Sequence, residues 1–115
     1  VNMKEVDELI AGGWVNVEED IFAQQLTRID AKQFKKINSK ELFNWNRKNK
    51  EVLAPNFTRM IKHFNALSSW VRTQIVILPE KEERTKILKK FIRIMEELKK
   101  LNNFNSLMAI LAGIN

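Results

Sequence analysis

From residue 55 onward, apolar side chains recur at three- and four-residue intervals: Phe57, Met60, Ile61, Phe64, Leu67, Val71, Ile75 and Leu78. That spacing predicts one apolar stripe along a helix of about six turns. Pro55 suits the first turn, where its missing N–H costs nothing, and Pro79 ends the helix. A second stripe follows almost at once through Ile87, Leu88, Phe91, Ile92, Met95, Leu98 and Leu101. A last helix is expected from about Phe104, with apolar residues at 104, 107, 108, 111 and 114. Asn102, Asn103 and Asn105 form an amide-rich corner before it, and Asn side chains bond nearby backbone groups at such junctions.

The first half is patterned in shorter pieces. Lys4 to Ala11 reads as a short helix closed by Gly12-Gly13. Asn16-Val-Glu-Glu19 reads as a capping box opening a helix with Phe22, Leu26 and Ile29 on one face. Asp30 and Ser39 suggest further starts, giving short helices around Phe34–Ile37 and Leu42–Phe43. A loop then runs from Trp45 to Pro55, with Asn44, Asn46 and Asn49 as turn-formers. No segment sustains the period-2 alternation of a half-buried strand, so the predicted fold is an all-α, irregular helical bundle. Residues 1–15 read as a lead-in helix or linker, and residues 16–115 as one domain.

Charge changes this picture little. The net charge is +6, but the basic residues are spread through helical stretches that also carry Glu four positions earlier, as in Glu82/Lys86 and Glu96/Lys100, the mark of a solvated helix face. Lys32, Lys35, Lys36 and Lys40 make a denser patch that Arg47, Lys48 and Lys50 continue. No nucleic-acid motif accompanies it, so a solvated surface is favoured over an acidic partner, and no nucleic-acid partner is expected. With no cysteine there can be neither a disulfide framework nor a thiolate metal site. No apolar run approaches the ~18 residues a membrane span needs, so no membrane insertion is expected and a cytoplasmic location is.

Candidates for covalent chemistry are few. His63 is the single histidine, which leaves no His-rich metal site, and a surface or half-buried structural role is expected for it. Carboxylates gather in Glu18-Glu19-Asp20, Glu80 to Glu83 and Glu96-Glu97, where helices start or face water. Gly12-Gly13 and Gly113 match no phosphate-binding loop. No catalytic residue, cofactor or metal is expected, and the chain reads as a binding module. Trp14 and Trp70 are read as packing residues.

Four blocks, in order, resemble the catalytic domain of guanine nucleotide exchange factors for Ras-family GTPases. Phe22-Ala-Gln-Gln-Leu-Thr-Arg-Ile-Asp-Ala-Lys-Gln-Phe-Lys-Lys-Ile37 looks like that family's opening motif. Leu53-Ala-Pro-Asn56 and His63-Phe-Asn-Ala-Leu-Ser-Ser-Trp70-Val resemble the next block; Phe91-Ile-Arg-Ile leads into Leu101-Asn-Asn-Phe-Asn105 and the rest of the tail. Together they span about residues 16 to 115, which the resemblance makes the N-terminal half of the domain.

The resemblance implies a protein that binds a Ras-family small GTPase, Rap or Ras ahead of Ral, and releases its nucleotide by stabilising the open state, without covalent chemistry. It places a grip on switch II at Trp45, Ile61, Lys62, Asn65, Met108, Ala112 and Asn115. Read by periodicity alone, Ile61 and Met108 would be core. The helical hairpin that displaces switch I in the family lies in the second half of the domain. The fragment is therefore expected to be inactive in exchange alone, to bare apolar stripes through which it self-associates, and to depend on other domains of its parent for membrane recruitment. The alternative is a basic helical interaction module that has lost exchange activity.

Overall fold

A computed structural model of the chain describes residues 13–43 and 54–115. The helix expected over Lys4–Ala11 and most of the loop beginning at Trp45 lie outside the described residues. Within them every regular element is helical, as the patterning predicts. A 3₁₀ turn at Trp14–Asn16 precedes α1 (Glu19–Lys36), α2 (Ser39–Phe43), α3 (Pro55–Val76), α4 (Lys81–Lys100) and α5 (Phe104–Ile114).

Two expectations about α1 fail, and both for reasons of burial. Asn16 does not cap the helix: it ends the 3₁₀ turn, and Glu18 takes the cap position without a side-chain bond. That turn, opened by Gly13 at φ 76°, carries Trp14 inward onto Phe91 at a ring separation of 4.7 Å. Nor does Asp30 start a new helix. The buried face that begins with Phe22, Leu26 and Ile29 continues without a break to Gln33, leaving Asp30 buried in mid-helix. The ends of α1 agree with its dipole, Glu19 and Asp20 lying in the first turn and Lys35 and Lys36 in the last.

Pro55 begins α3 as expected, and α4 starts two residues after Pro79. The exit from α4 explains the Asn-rich corner. Asn102 takes the left-handed conformation, φ 58°, that Asn tolerates best after Gly. Its N–H donates to Lys99 O at 3.0 Å and that of Asn103 to Leu98 O at 2.9 Å, the paired bonds of a Schellman ending. Asn103 then caps α5, its side chain accepting from Ser106 N.

The core gathers residues from Trp14 and from α1, α3, α4 and α5, among them Phe22, Leu26, Leu67, Val71, Phe91, Ile94, Leu98 and Ile110. Ile94, absent from the predicted stripe, is fully buried, while Ile92 and Leu101 turn to solvent. Trp14 and Trp70 pack as expected, forming an aromatic cluster with Phe22 and Phe91. Trp14 Nε1 donates to Gln74 Oε1, and Asp30 faces His63, so α1 and α3 run in opposite directions. Lys90 Nζ donates to Val17 O at 2.7 Å and ties the start of α1 to α4.

Candidate functional site

Beyond Asn105 and Ser106 in its first turn the last helix is wholly apolar, a composition that calls for partners on more than one face. Its inner face is small: Ser106, Ala109 and Gly113 are buried beside Ile110. Smallness is required there because α3 comes very close. A Cβ on Gly113 would stand 2.5 Å from Ser68 O and 2.8 Å from Val71 Cβ. Ser68 Oγ donates to Ala109 O at 2.7 Å, locking the two backbones together. Since His63 shares a carboxylate with Ser106, and Gly113 lies against Ser68 and Val71, α3 and α5 run in the same direction.

The large side chains are consequently turned outward. Phe104, Met108 and Leu111, spaced by about one turn each, are 55%, 52% and 36% exposed. The single stripe expected over 104, 107, 108, 111 and 114 is thus split: Leu107 and Ile114 pack against the core, and the other three form an outer face.

Met108 and Ala112 lie on this outer side, both exposed. Asn65, exposed, and Ile61, half-buried, stand three and seven positions before Ser68 on the neighbouring helix α3. Met108 is exposed, against the core reading that periodicity favours; Ile61 is half-buried and, among the described residues, is not one of those packed against the core cluster. Lys62 is turned about 100° from Ile61 and lines a shallow depression with Pro55, Thr58 and Arg59. Asn115 sits at the far end, beside Arg72, Ile75, Val76, Gly113 and Ile114. The structure therefore gathers Ile61, Asn65, Met108 and Ala112 on adjacent helices and sets Lys62 and Asn115 at two separate margins. Trp45 lies outside the described residues.

Two further features shape the site and were not anticipated. Glu41, buried on α2, caps the start of α3: its Oε1 accepts from Asn56 N at 2.6 Å and from Phe57 N at 3.1 Å. Burial pushes the Glu41 carboxyl up, but bonds from the backbone of Phe57, Asn38 and Asn56 and from the Asn56 amide outweigh it and hold the group below its ordinary value of 4.5. The second is a buried polar cluster linking α1, α3 and α5. Asp30 Oδ2 accepts from Asn103 Nδ2 at 2.9 Å and from Ser106 Oγ, and Asp30 Oδ1 stands 3.5 Å from His63 Nε2. His63, expected at the surface or half-buried, is 1% exposed. The sequence offered one signal for the inner face, the recurrence of Ser106, Ala109 and Gly113 at helical spacing. It offered none for the outward turn of Phe104 and Leu111, which follows from the closeness of α3.

The described residues include no helix long and apolar enough to cross a membrane. A family profile described as the RasGEF domain matches residues 21–115. The chain is 44% identical over 93 residues to Rap guanine nucleotide exchange factor 1 of Homo sapiens, covering 81% of this chain and 9% of that protein. It is 41% identical over 102 residues to Ras guanine nucleotide exchange factor A of Dictyostelium discoideum, covering 87% of this chain and 17% of that protein. Guanine nucleotide-releasing factor 2 of Drosophila melanogaster is 39% identical over 93 residues, covering 81% of this chain and 6% of that protein. The chain thus spans less than a fifth of the length of each.

Proposed function

The chain belongs to the RasGEF domain family, and from that premise we propose that it binds a Ras-family small GTPase through the outer face of α5 and the adjoining surface of α3. In this reading Met108 and Ile61 hold an apolar side chain of switch II. Asn65 and Lys62 supply polar contacts, and Ala112 and Asn115 extend the surface along α5. Trp45 contributes from the segment between α2 and α3.

The work done is differential binding. A surface that grips switch II in the conformation of the nucleotide-free GTPase stabilises that state and raises the rate at which nucleotide leaves. No covalent bond is made, and the protein acts as a regulator of its GTPase. Residues 16–115 supply the grip on switch II within the catalytic domain, with residues 1–15 leading into it. Rap and Ras are the favoured targets, in a cytoplasmic protein.

The observation that carries the reading is the outward turn of Met108, flanked by Phe104 and Leu111, on a helix whose inner face is already filled. A contiguous apolar face of this kind marks an interaction surface. The test is release of a fluorescent guanine nucleotide from Rap, Ras and Ral with the full-length protein. Acceleration with Rap or Ras is expected. Binding without acceleration would favour a helical interaction module that has lost exchange, and absence of binding to all three would remove the proposal.

A further inference from the structure

A buried carboxylate in the middle of a helix needs a reason. Asp is among the poorer residues for a helix interior, and burying its charge is costly unless several donors meet it. Asp30 is 3% exposed on the same face of α1 as Phe22, Leu26 and Ile29, where an apolar residue would pack without that cost. Its partners show what the carboxylate does. Asn103 Nδ2 donates both to Asp30 Oδ2 at 2.9 Å and to Thr27 Oγ1 at 3.0 Å, and the same Asn103 accepts from Ser106 N through Oδ1. Ser106 Oγ donates to the carboxylate as well. Two side chains of the first turn of α5 and its cap are thereby tied to α1. On the other side His63 Nε2, on α3, stands 3.5 Å from Asp30 Oδ1.

These partners are the immediate neighbours of the candidate surface. His63 lies between Ile61 and Asn65, and Ser106 lies two positions before Met108. We propose that Asp30 is a positioning residue for the GTPase-binding face: its bonds to Asn103 and Ser106 fix the start of α5 against α1, with His63 of α3 alongside, and so set where Met108 stands relative to Ile61 and Asn65, without touching the GTPase. This rests on the reading of that face given above. The bond from Ser68 to Ala109 and the close approach at Gly113 hold the middle and end of α5, but the first turn lies before both, and apolar burial is non-directional. Hydrogen bonds to a buried carboxylate are directional and specify one arrangement. A binding face assembled from two helices is sensitive to errors of about 1 Å in that arrangement.

The test compares Asp30→Asn with Leu26→Ala in the full-length protein. Leu26 lies on the same helix and in the core, and serves as a control for lost stability. Both are assayed well below their melting temperatures for binding to nucleotide-free Rap or Ras, and for hydrogen exchange at residues 104–108. Asp30→Asn is expected to weaken binding by about tenfold, equivalent to one decade in Kd, and to speed exchange at 104–108. Leu26→Ala is expected to leave both within about twofold after its stability loss is matched. Ser106→Ala, which withdraws one bond and keeps the charge, should move both readouts in the same direction by less, and it carries the test if Asp30→Asn does not fold. Binding by Asp30→Asn equal to that of Leu26→Ala would overturn the proposal. If the unsubstituted protein binds neither GTPase while exchange still separates the two variants, the reading of the face falls, and with it the functional part of the proposal.

Discussion

On its inner face α5 presents Ser106, Ala109, Ile110 and Gly113 to α3 and to Asp30, all of them buried, and on its outer face Phe104, Met108 and Leu111 to solvent. Hydrophobicity does not distinguish the two, since the outer residues are on average the larger and more apolar. What distinguishes them is how near the neighbouring helix comes. The inner face is decided by contact with α3 at Gly113 and by the bond from Ser68 to Ala109, which leave no room for bulk. The outer face is bulky where nothing within the described residues requires it, so its side chains are free to serve a partner. Size on the inner face is a matter of stability, and size on the outer face is, in the proposed reading, a matter of binding.

The strongest way to break this contrast is to put bulk on the inner face. Gly113→Val places a branched side chain against Ser68 O and Val71, and the closest of these is backbone that cannot swing aside. A loss of about 3 kcal/mol is expected, at the upper end for overpacking. A urea midpoint unchanged by the substitution would mean that α3 and α5 part easily.

A smaller effect concerns α3, the other helix of the candidate surface. Glu41 and Glu19 both have carboxyls held below the ordinary value of 4.5 in the folded chain. Bonds to the start of α3 do this for Glu41 against the pull of burial, and for Glu19 its own backbone N–H does most, helped by Lys90 and Arg93. Each group therefore takes up protons less readily folded than unfolded. The stability it contributes is complete above the unfolded value and is lost as the pH falls through the lower, folded one. Urea midpoints should hold from neutrality down to about pH 5 and decline below it. Glu41→Gln should lower the midpoint at neutral pH and flatten that decline; an unaltered profile would show that Glu41 does not secure α3.

These elements differ in how far the sequence disclosed them. Helices α3, α4 and α5 were legible because their stripes are long and their ends are marked by Pro55, Pro79 and the Asn corner. The region around α1 misled because local signals competed with tertiary ones. Asn16 and Asp30 are residue types that open helices, yet one is drawn into the turn that buries Trp14 and the other into the bond with Asn103 and Ser106. Long-range partners of this kind leave no trace in local spacing. The candidate site was legible mainly through family likeness. Periodicity made Met108 a core residue, and the outward turn that places it on the surface depends on the small size of Ser106, Ala109 and Gly113.

The smallest expected effect on stability belongs to the outer face, and it supplies the decisive measurement. Met108 is 52% exposed, so Met108→Asp in the full-length protein should change stability by no more than about 0.5 kcal/mol. The same substitution sets a charge in the middle of the apolar face and should abolish binding to nucleotide-free Rap or Ras. Thermal melting and GTPase binding are measured on one preparation of each protein. A melt like that of the unsubstituted protein with binding lost is the result the account predicts. A folded variant that binds undiminished, or one that unfolds because Met108 is needed in the core, would contradict it.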